Sequence, residues 1–321
     1  MPKIFFSVAV PTYNFAQLLP ETLDSILGQS LPADEVVVVD DGSTDSTSDV
    51  LARYGGRILG HRIVNSGNAA ARRAAADLCQ GTWIAFCDHD DLWLPNHLES
   101  LRRVIDQVPD ARFVFSDFKT FGTHAQGEES HFDRAPAGWW RKTTEGENIR
   151  TINADGYKHF LDFNPVFTSC LAIRRDFYDR IGGINPAYSR MCSDDADLTR
   201  RAVLFGKLAC INLTTVRIRK FADNMSSSIA KWKYDRAIIL RDQLQAGIVP
   251  QEYISATQRS IAESFLDSFR HAYWANDADL LKRSYKAADR RDLTLRDRLR
   301  YYYGRFLNRG HVRMASRKSP G

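Results

Sequence analysis

The sequence predicts an α/β fold: a mostly parallel sheet flanked by helices, followed by a helical C-terminal extension. Short apolar runs alternate with segments of helical spacing over the first two thirds of the chain, which is typical of βαβ units. The run Glu35–Asp40 contains four consecutive valines, as expected for a strand that is buried on both faces. From Ser228 onward the apolar residues keep a helical spacing only.

The predicted elements follow one another in alternating order. A β-branched or aromatic run predicts each strand, and apolar residues three or four positions apart predict each helix. The predicted strands are residues 4–10, 35–40, 58–64, 83–87, 113–118, 167–173 and 207–220. The predicted helices between them are residues 18–27, 47–54, 68–79, 94–108, 176–181 and 194–205. The polar region 122–150 gives no prediction, although it contains the pair Trp139-Trp140.

The composition is that of an ordinary globular protein, with 44% hydrophobic and 26% charged residues in a chain of 321. The five cysteines are odd in number and show no CxxC spacing, which argues against a zinc site and a disulfide framework. The N-terminus passes directly into a strand pattern without the apolar segment of a signal peptide. No run of about 18 apolar residues occurs, so we expect a cytoplasmic protein.

The charge is unevenly distributed along the chain. Residues 282–321 contain 13 Lys and Arg against 3 Asp, a local balance of +10. The rest of the chain carries 31 basic and 36 acidic residues, a balance of −5. Two interpretations remain open: a basic arm for an anionic surface such as phospholipid headgroups, or an ordinary solvated helical end.

Four polar clusters occur where predicted strands end. They are residues 11–14, 40–43, 65–68 and 88–91. Because ligands bind beyond the carboxyl ends of parallel strands, we expect the four clusters to lie on one rim of the sheet. The last cluster contains Asp88, Asp90 and Asp91, and hard oxygen ligands of this kind suit a divalent cation.

With these motifs in the order of the family, the chain resembles the inverting, nucleotide-sugar-dependent glycosyltransferases of family 2. The resemblance implies the GT-A fold, in which a Rossmann-like sheet is flanked by helices. It covers roughly residues 4–226 and implies a catalytic domain over residues 1–226 and a helical, basic extension over residues 227–321. It rests on residues 8–14 (VAVPTYN), 37–45 (VVVDDGSTD), 65–72 (NSGNAAAR), 88–95 (DHDDLWLP) and 193–198 (SDDADL).

The resemblance implies that Asp88 and Asp90 form the Asp-any-Asp motif of the family. Mg²⁺ or Mn²⁺ would bridge carboxylate and diphosphate oxygens and neutralise charge on the departing nucleoside diphosphate. Asp90 is the expected direct ligand, and Asp88 is expected at the metal or at the ribose. A solvated loop or a helix cap is the alternative, and Asp91 is expected to support the loop. His89 and His97 are expected to be polar surface residues.

Asp195 matches the aspartate of the family's Glu-Asp pair. The resemblance implies that it is the general base that removes the proton of the acceptor hydroxyl. Asp194 stands where a glutamate is usual, and its shorter side chain is expected to keep a supporting acidic role. The alternative is that these carboxylates only favour the N-terminus of the predicted helix.

The resemblance also implies a nucleotide site. Asp41 is expected to accept a hydrogen bond from the base, and Pro11 and Tyr13 are expected to form the wall and stacking surface around it. Arg72 is expected to reach the nucleotide or its diphosphate. A tyrosine at the edge of the core and a surface ion pair are the alternatives for Tyr13 and Arg72.

One position departs from the family pattern. Many relatives carry a histidine in an Arg-any-His segment after the last strand, where it completes the metal site, and Phe221 occupies that position here. Asp223 or Asn224 would then supply oxygen, the diphosphate and water would hold the metal more loosely, or Lys220 would offset leaving-group charge.

The implied function is transfer of a sugar from a nucleotide-sugar, with a UDP-sugar as the first expectation. The acceptor would be a hydroxyl of a saccharide or lipid-linked saccharide in cell-surface polysaccharide or lipopolysaccharide synthesis. Aromatic residues at 139–140 and 163–170 are candidate acceptor walls. Residues 296–313 predict peripheral contact with an anionic membrane on its inner face, and no nucleic-acid partner is expected because the tail lacks a known module.

Two other functions remain as alternatives. A catalytically inactive nucleotide-binding or scaffolding relative would agree with the missing histidine. A nucleotidyltransferase would share the α/β plan and the acidic residues, but residues 11–14 are not the Gly-rich, basic loop that cradles a triphosphate.

Overall fold

The structure, a computed structural model, describes residues 3–125, 127, 129–142, 144–145, 148–221 and 228–304. The chain divides into two compact units. The first consists of Met1–Arg190 and Asp194–Ala222, and the second of Met191–Ser193 and Asp223–Gly321. The carboxylates expected to carry chemistry all lie in the first unit.

Ten strands of the described chain form one mixed sheet in the first unit. They are β1 Phe6–Thr12, β2 Glu35–Asp40, β3 Leu59–Arg62, β4 Trp83–Phe86, β5 Leu92–Trp93, β6 Ala111–Phe121, β7 Thr144–Glu145, β8 Ile149–Ile152, β9 Leu171–Arg174 and β10 Lys207–Arg219. Their order is β3-β2-β1-β4-β9-β6-β10-β8-β7, and β5 pairs with β10.

The parallel part of this sheet positions the site. β1 pairs in parallel with β2 and β4, and β2 pairs in parallel with β3. Thr12 lies opposite Asp40, which lies opposite Arg62, so the carboxyl ends of these strands meet at one edge. β9 enters antiparallel between β4 and β6, and β6 runs parallel to β10.

Seven α-helices of the described first unit connect or cover these strands. They are α1 Leu19–Leu27, α2 Thr47–Arg53, α3 Asn68–Leu78, α4 His97–Gln107, α5 Tyr157–Asp162, α6 Arg175–Arg180 and α7 Asp194–Phe205. Together with the sheet and the C-terminal helices, they confirm the predicted fold class.

The core of the first unit is built on the central strands. All seven residues of β1 are buried, and the valines of β2 are at most 4% exposed. Leu19, Leu23 and Ile26 of α1 follow a helical spacing and are fully buried against this sheet. Each such side chain contributes about 1.5–3 kcal/mol through burial, so the strand ends that carry the polar clusters are rigidly supported.

The second unit is helical. Its helices are α8 Ile229–Gln245, α9 Ile254–Trp274, α10 Ala278–Ala287 and a helix over residues 295–304. Its core includes Phe265, Phe269 and Leu281, and the Tyr285 and Tyr301 rings stack with centroids 3.7 Å apart. No helix in the described ranges has the length and apolar character needed to cross a bilayer.

The predicted helix 94–108 begins at His97 instead. Leu92 and Trp93 form β5, which pairs with β10, and the Leu94 N–H donates to the Thr215 carbonyl oxygen at 2.8 Å. This pairing joins residues about 120 positions apart in the chain, so local spacing could not predict it.

The prediction that His97 is a polar surface residue is wrong. Its side chain is fully buried, with Nδ1 2.7 Å from Thr215 Oγ1 and its ring centroid 4.4 Å from that of Trp93. Burial lowers the pKa of His97 to about 3, so the imidazole is neutral at physiological pH.

Candidate active site

The acidic loop, residues 88–91, follows β4 directly. Asp88 begins the loop, and its backbone N–H donates to Ser169 Oγ at 3.0 Å. Asp91 is 4% exposed and accepts hydrogen bonds from Ser169 Oγ at 2.5 Å and from the Arg219 N–H at 3.0 Å. Asp91 therefore fixes the loop to two later segments of the chain, which agrees with the supporting role expected for it.

A buried arginine joins the acidic loop to α7. Arg72 contacts Asp88 with two parallel hydrogen bonds, Nε to Oδ1 at 2.9 Å and Nη2 to Oδ2 at 2.7 Å. Its third nitrogen, Nη1, lies 2.5 Å from Asp194 Oδ2. Arg72 is 8% exposed, so the surface ion pair considered from the sequence is wrong. One guanidinium thus connects two motifs that lie more than 100 residues apart.

The sequence of α3 explains why this arginine is buried. Ala69, Ala71, Ala75 and Ala76 are at most 1% exposed, and α3 packs closely on β1 and β2. Small side chains let the helix axis approach the sheet, and Arg72 lies among them on the same buried side. A charged group in this position needs compensating partners, which Asp88 and Asp194 provide.

The charged residues of this cluster have pKa values that are shifted in different directions. Burial opposes the charged form of Arg72, but Asp194 and then Asp88 hold its pKa well above the usual value. Burial also opposes ionisation of Asp88, but the nearby Arg72 charge and its hydrogen bonds lower the Asp88 pKa. Burial raises the pKa of Asp91 well above its usual value, with further increases from Asp90 and Asp88. Asp88 is therefore the ionised partner of Arg72.

Among the described residues, the carboxylate of Asp90 accepts fewer hydrogen bonds than those of Asp88 and Asp91. Among the described residues, only its own backbone N–H donates to the carboxylate, while its carbonyl oxygen accepts from Arg219 Nε at 2.9 Å. Burial raises the pKa of Asp90, with His89 opposing and Asp88 adding to the shift. A half-buried carboxylate that lies beside other acids and receives no side-chain hydrogen bond in the described chain gains from a bound cation.

Asp195 lies in the first turn of α7, next to Asp194. Its Oδ1 accepts a hydrogen bond from the Ala196 N–H at 2.7 Å. Burial raises the pKa of Asp195 to about 7, followed by repulsion from Asp194, while Arg72 opposes the shift. Asp88 also contributes to this pKa, which connects Asp195 electrostatically with the acidic loop.

Asp41 has a structural role in addition to the nucleotide contact expected for it. Its two carboxylate oxygens accept hydrogen bonds from the N–H groups of Ser66, at 2.7 Å, and Gly67, at 2.8 Å. Gly67 has φ +91°, and a Cβ there would lie 2.8 Å from Ser189 Cβ, so only glycine fits. Asp41 thus holds the loop before α3, and each of its oxygens retains a second lone pair.

The remaining predicted nucleotide residues lie after β1. Pro11 is buried, and its carbonyl oxygen is 3.2 Å from His89 Nδ1. His89 packs on Phe15 with ring centroids 3.9 Å apart, so it is a half-buried wall residue rather than an open surface residue. Tyr13 is 41% exposed, which leaves much of its side chain accessible to a ligand.

Phe221, which stands where many relatives carry a histidine, is the last described residue before position 222. Asp223 and Asn224, which the sequence offered as oxygen donors, lie outside the described residues. Lys220 Nζ lies 5.1 Å from the centroid of the Phe167 ring and contributes to the lowered pKa of Asp88. In the part of the chain that is described, no group of three or more His, Cys, Asp or Glu side chains is arranged to hold a metal ion.

The candidate acceptor walls differ in accessibility. Trp139 is 4% exposed and donates from Nε1 to the His159 carbonyl oxygen at 2.9 Å, so it is a core residue rather than a platform for a sugar. Phe163 and Phe167 are half-buried and border His131, with centroid distances of 4.7 and 5.7 Å.

The comparisons with known sequences agree with one another. The family described as Glycosyl transferase family 2 matches residues 7–181. The putative teichuronic acid biosynthesis glycosyltransferase TuaG of Bacillus subtilis is 41% identical over 103 residues, 30% of this chain and 40% of that protein. A PGL/p-HBAD biosynthesis glycosyltransferase of Mycobacterium tuberculosis is 36% identical over 122 residues, 36% of this chain and 48% of that protein. The matches therefore span less than half of these two relatives.

Solved structures share the fold. Staphylococcus aureus TarS 1–349 in complex with UDP-GlcNAc superposes with a TM-score of 0.62 at 18% identity, covering 94% of this chain and 79% of that one. The mannosyltransferase PcManGT of Pyrobaculum calidifontis, in complex with GDP-Man and Mn²⁺, gives a TM-score of 0.57 at 19% identity, covering 99% and 88%. Because the family match extends over more than half of the chain, this protein belongs to glycosyl transferase family 2.

Proposed function

We propose that this chain is an inverting glycosyltransferase that moves a sugar from a nucleotide-sugar, with UDP-sugars as the first candidates. The acceptor is a hydroxyl of a saccharide or lipid-linked saccharide in cell-surface polysaccharide or lipopolysaccharide synthesis. The observation that carries the proposal is the buried Arg72, which binds Asp88 of the acidic loop and Asp194 beside Asp195. The similarity to TuaG, a putative teichuronic acid biosynthesis glycosyltransferase, supports this acceptor class, and the complex of TarS with UDP-GlcNAc supports this donor class.

In this proposal Asp195 is the catalytic residue that takes the acceptor proton. An inverting displacement needs one base on the acceptor side and no covalent enzyme intermediate. A pKa of about 7, raised by burial and by Asp194, gives the Asp195 carboxylate a proton affinity suited to work near neutral pH. Arg72 then acts as a positioning residue, because it neutralises Asp194 and limits the rise of the Asp195 pKa.

The donor would lie along the strand ends. Tyr13 offers an exposed ring for stacking on the base, and Pro11 forms the wall beside it. Asp41, held by two backbone N–H groups, is the proposed acceptor of a hydrogen bond from the base. Asp88 is proposed to face the ribose, because Arg72 already binds both of its carboxylate oxygens.

The chemistry of the donor set fits Mg²⁺ or Mn²⁺ at Asp90. Its carboxylate is half-buried among acids and receives no hydrogen bond from the side chains of other described residues, whereas Asp88 is neutralised by Arg72. A bound cation would supply neutralisation of the charge that develops on the leaving diphosphate. Asp90 is therefore proposed as the metal ligand, with Asp88 as a weaker candidate for the same role.

A lipid-linked acceptor would be reached at a membrane. We accordingly propose that the protein works as a peripheral protein on the inner face of the cytoplasmic membrane. The basic balance of residues 282–321 supports attraction to anionic headgroups.

The activity can be tested with a panel of UDP-, dTDP- and GDP-sugars, with and without Mn²⁺, followed by determination of the anomeric configuration of the product. Asp195→Asn should still bind donor but lose turnover by about 10²–10⁴-fold. Asp49→Asn, at an exposed position of α2, is the matched control and should keep wild-type turnover. Normal turnover in Asp195→Asn would contradict the assigned base, and retention of configuration would contradict the inverting mechanism.

The missing histidine at Phe221 favours one second candidate, an inactive nucleotide-binding relative. Such a protein would bind UDP in calorimetry and show no turnover with any donor and acceptor fraction. The same donor panel therefore distinguishes the two functions.

A further inference from the structure

The second unit presents an aromatic–basic surface, made of Trp274 at the end of α9 and of Leu295, Arg296, Leu299, Tyr302 and Tyr303 on the helix over residues 295–304. The apolar members are unusually open: Trp274 is 72% exposed, Leu295 76% and Tyr303 65%. Isolated exposed apolar residues need no explanation, but a contiguous group of large ones marks an interaction site.

The helix over residues 295–304 has two distinct faces. Asp297, Tyr301 and Gly304 follow a helical spacing and are buried in the second unit. Leu295, Leu299 and Tyr302 follow the same spacing on the other side and are exposed. A solvated helix normally carries polar residues on its outer face, so this apolar outer face is suited to a partner.

Arginines lie beside the apolar side chains in a defined arrangement. The Arg300 guanidinium lies 5.7 Å from the centroid of the Tyr273 ring and 5.4 Å from that of Trp274. Arg300 Nη1 also lies 3.3 Å from Asp297 Oδ1. These contacts hold a cation next to the exposed indole of Trp274 and the half-buried phenol of Tyr273, a combination that is typical of membrane interfaces.

The sequence of this part of the chain has a positive charge balance. Residues 282–304 contain eight Lys and Arg and three Asp, and residues 305–321 add five basic residues and no acidic one. Asp297 is 1% exposed and is paired with Arg270 at 3.0 Å, so it offers little negative charge to a partner. The partner must therefore combine negative charge with an apolar layer.

We propose that the aromatic–basic surface binds an anionic phospholipid bilayer, with Trp274, Leu295 and Leu299 in the interfacial layer and arginines at the headgroups. A second copy of this chain would bring a like-charged surface to the contact. A nucleic acid would satisfy the arginines but would offer no layer for the two leucines. This inference rests on the proposed function only in that a membrane site suits a lipid-linked acceptor.

The test is flotation of the full chain with vesicles of phosphatidylcholine alone or mixed with phosphatidylglycerol, in the absence of donor. The wild type should float with the mixed vesicles and lose binding as salt is raised. The triple variant Leu295→Ser/Leu299→Ser/Tyr302→Ser should bind them at least about tenfold more weakly. Leu59→Ser, a leucine of β3 with 57% exposure, is the matched control and should bind as the wild type does.

A second variant isolates the charge. Arg296→Gln should weaken binding by roughly fivefold while leaving the apolar residues intact. Equal recovery on neutral and anionic vesicles, or unchanged flotation of the triple variant, would overturn the proposal. Loss of a dimer in ultracentrifugation without any change in flotation would assign the surface to a second copy instead.

Turnover with a soluble acceptor, measured without vesicles, separates this proposal from the proposed function. The triple variant changes no residue assigned to donor binding or catalysis, so its turnover should equal that of the wild type. Vesicle binding without turnover by the wild type would refute only the proposed activity. Turnover without vesicle binding would refute the membrane surface and the peripheral location proposed above, and would leave the proposed sugar transfer intact.

Discussion

Two pairs of carboxylates lie at strand ends in the parallel part of the sheet: Asp40 and Asp41 at the end of β2, and Asp88 and Asp90 after β4. Their hydrogen-bond partners differ. Backbone donors hold one oxygen of Asp40 and both oxygens of Asp41. Asp40 Oδ1 accepts from the Ser43 N–H at 2.8 Å while Arg62 Nη1 lies 3.4 Å from Oδ2, and Asp41 accepts from two N–H groups of the loop before α3. In the acidic loop, Asp88 is instead bound to Arg72, and Asp90 lacks a side-chain donor in the described chain. Similar sequence patterns thus produce a structural loop in one place and a charged cluster in the other.

The partners of each carboxylate indicate where chemistry is expected. A carboxylate that backbone N–H groups satisfy stabilises a loop, whereas a buried carboxylate beside other acids keeps a raised pKa and a demand for positive charge. Substitution of Asp41 should therefore lower stability more than substitution of Asp90 does, and substitution of Asp90 should lower activity more than it lowers stability.

Replacing Arg72 by methionine should have the largest effect. The change leaves Asp88 and Asp194 without the cation between them, and breaking a buried pair typically costs about 3–5 kcal/mol. Chemical denaturation would measure the loss. Arg102→Met is the control, because Arg102 forms an exposed i,i+4 pair with Asp106 on α4 and its loss should cost less than about 1 kcal/mol. Equal costs for the two variants would show that the Arg72 cluster is energetically ordinary.

Asp90→Asn should affect activity far more than stability. We expect turnover to fall by about 10²–10³-fold, because the proposed cation loses its carboxylate ligand. Unfolding should be unchanged or slightly less favourable, since the substitution removes a half-buried charge that repels Asp88 and Asp91. Steady-state kinetics with a Mn²⁺ titration, together with a thermal melt, would measure both. A large drop in melting temperature with normal turnover would reverse the division between the loops.

Asp41→Asn, unlike Asp90→Asn, should clearly lower the free energy of unfolding. An asparagine can accept from only one of the two N–H groups of Ser66 and Gly67, so we expect a loss of about 1–3 kcal/mol. Denaturation with urea would measure it, with Asp49→Asn as the exposed control. A variant as stable as the wild type would mean that this loop does not depend on its carboxylate.

The pH dependence of activity should reveal the raised pKa of Asp195 beside Asp194. Asp195 must be deprotonated to act as a base, and its pKa is raised to about 7 by burial and by Asp194. Therefore kcat/KM should fall about tenfold per pH unit below this value and level off above it. Asp194→Asn removes the repulsion and should shift the midpoint to lower pH. A profile that is flat between pH 5 and about 8 would contradict Asp195 as the base.

Much of the fold could be predicted because it follows from local patterns. The bounds of β2 and α7 agree with the predicted residues, since four valines define the one and an acidic first turn defines the other. The errors arise where distant parts of the chain meet. Pairing of β5 with β10 delays the start of α4 to His97, and Thr215 gives that histidine its buried partner.

The same limit applies to the site. Residue types and motif order suggested Asp88, Asp90 and Asp195, and the family match supports the class of enzyme. The link from Arg72 to Asp194 could not be seen, because it spans 122 positions and depends on how α3 approaches the sheet. The sequence shows the short side chain of Asp194, but it does not show that Arg72 is its partner. The roles of all these residues remain predictions until the variants are measured.

The hydroxyl of Ser169 has a consequence for biogenesis. It accepts the N–H of Asp88 and donates to Asp91, and the Arg219 N–H reaches the other oxygen of that aspartate. A growing polypeptide emerges from the ribosome with residues 88–91 long before either partner has been synthesised. The nascent acidic segment therefore lacks its final anchors until translation has passed residue 219, and a product interrupted earlier would contain every one of these aspartates without their native geometry.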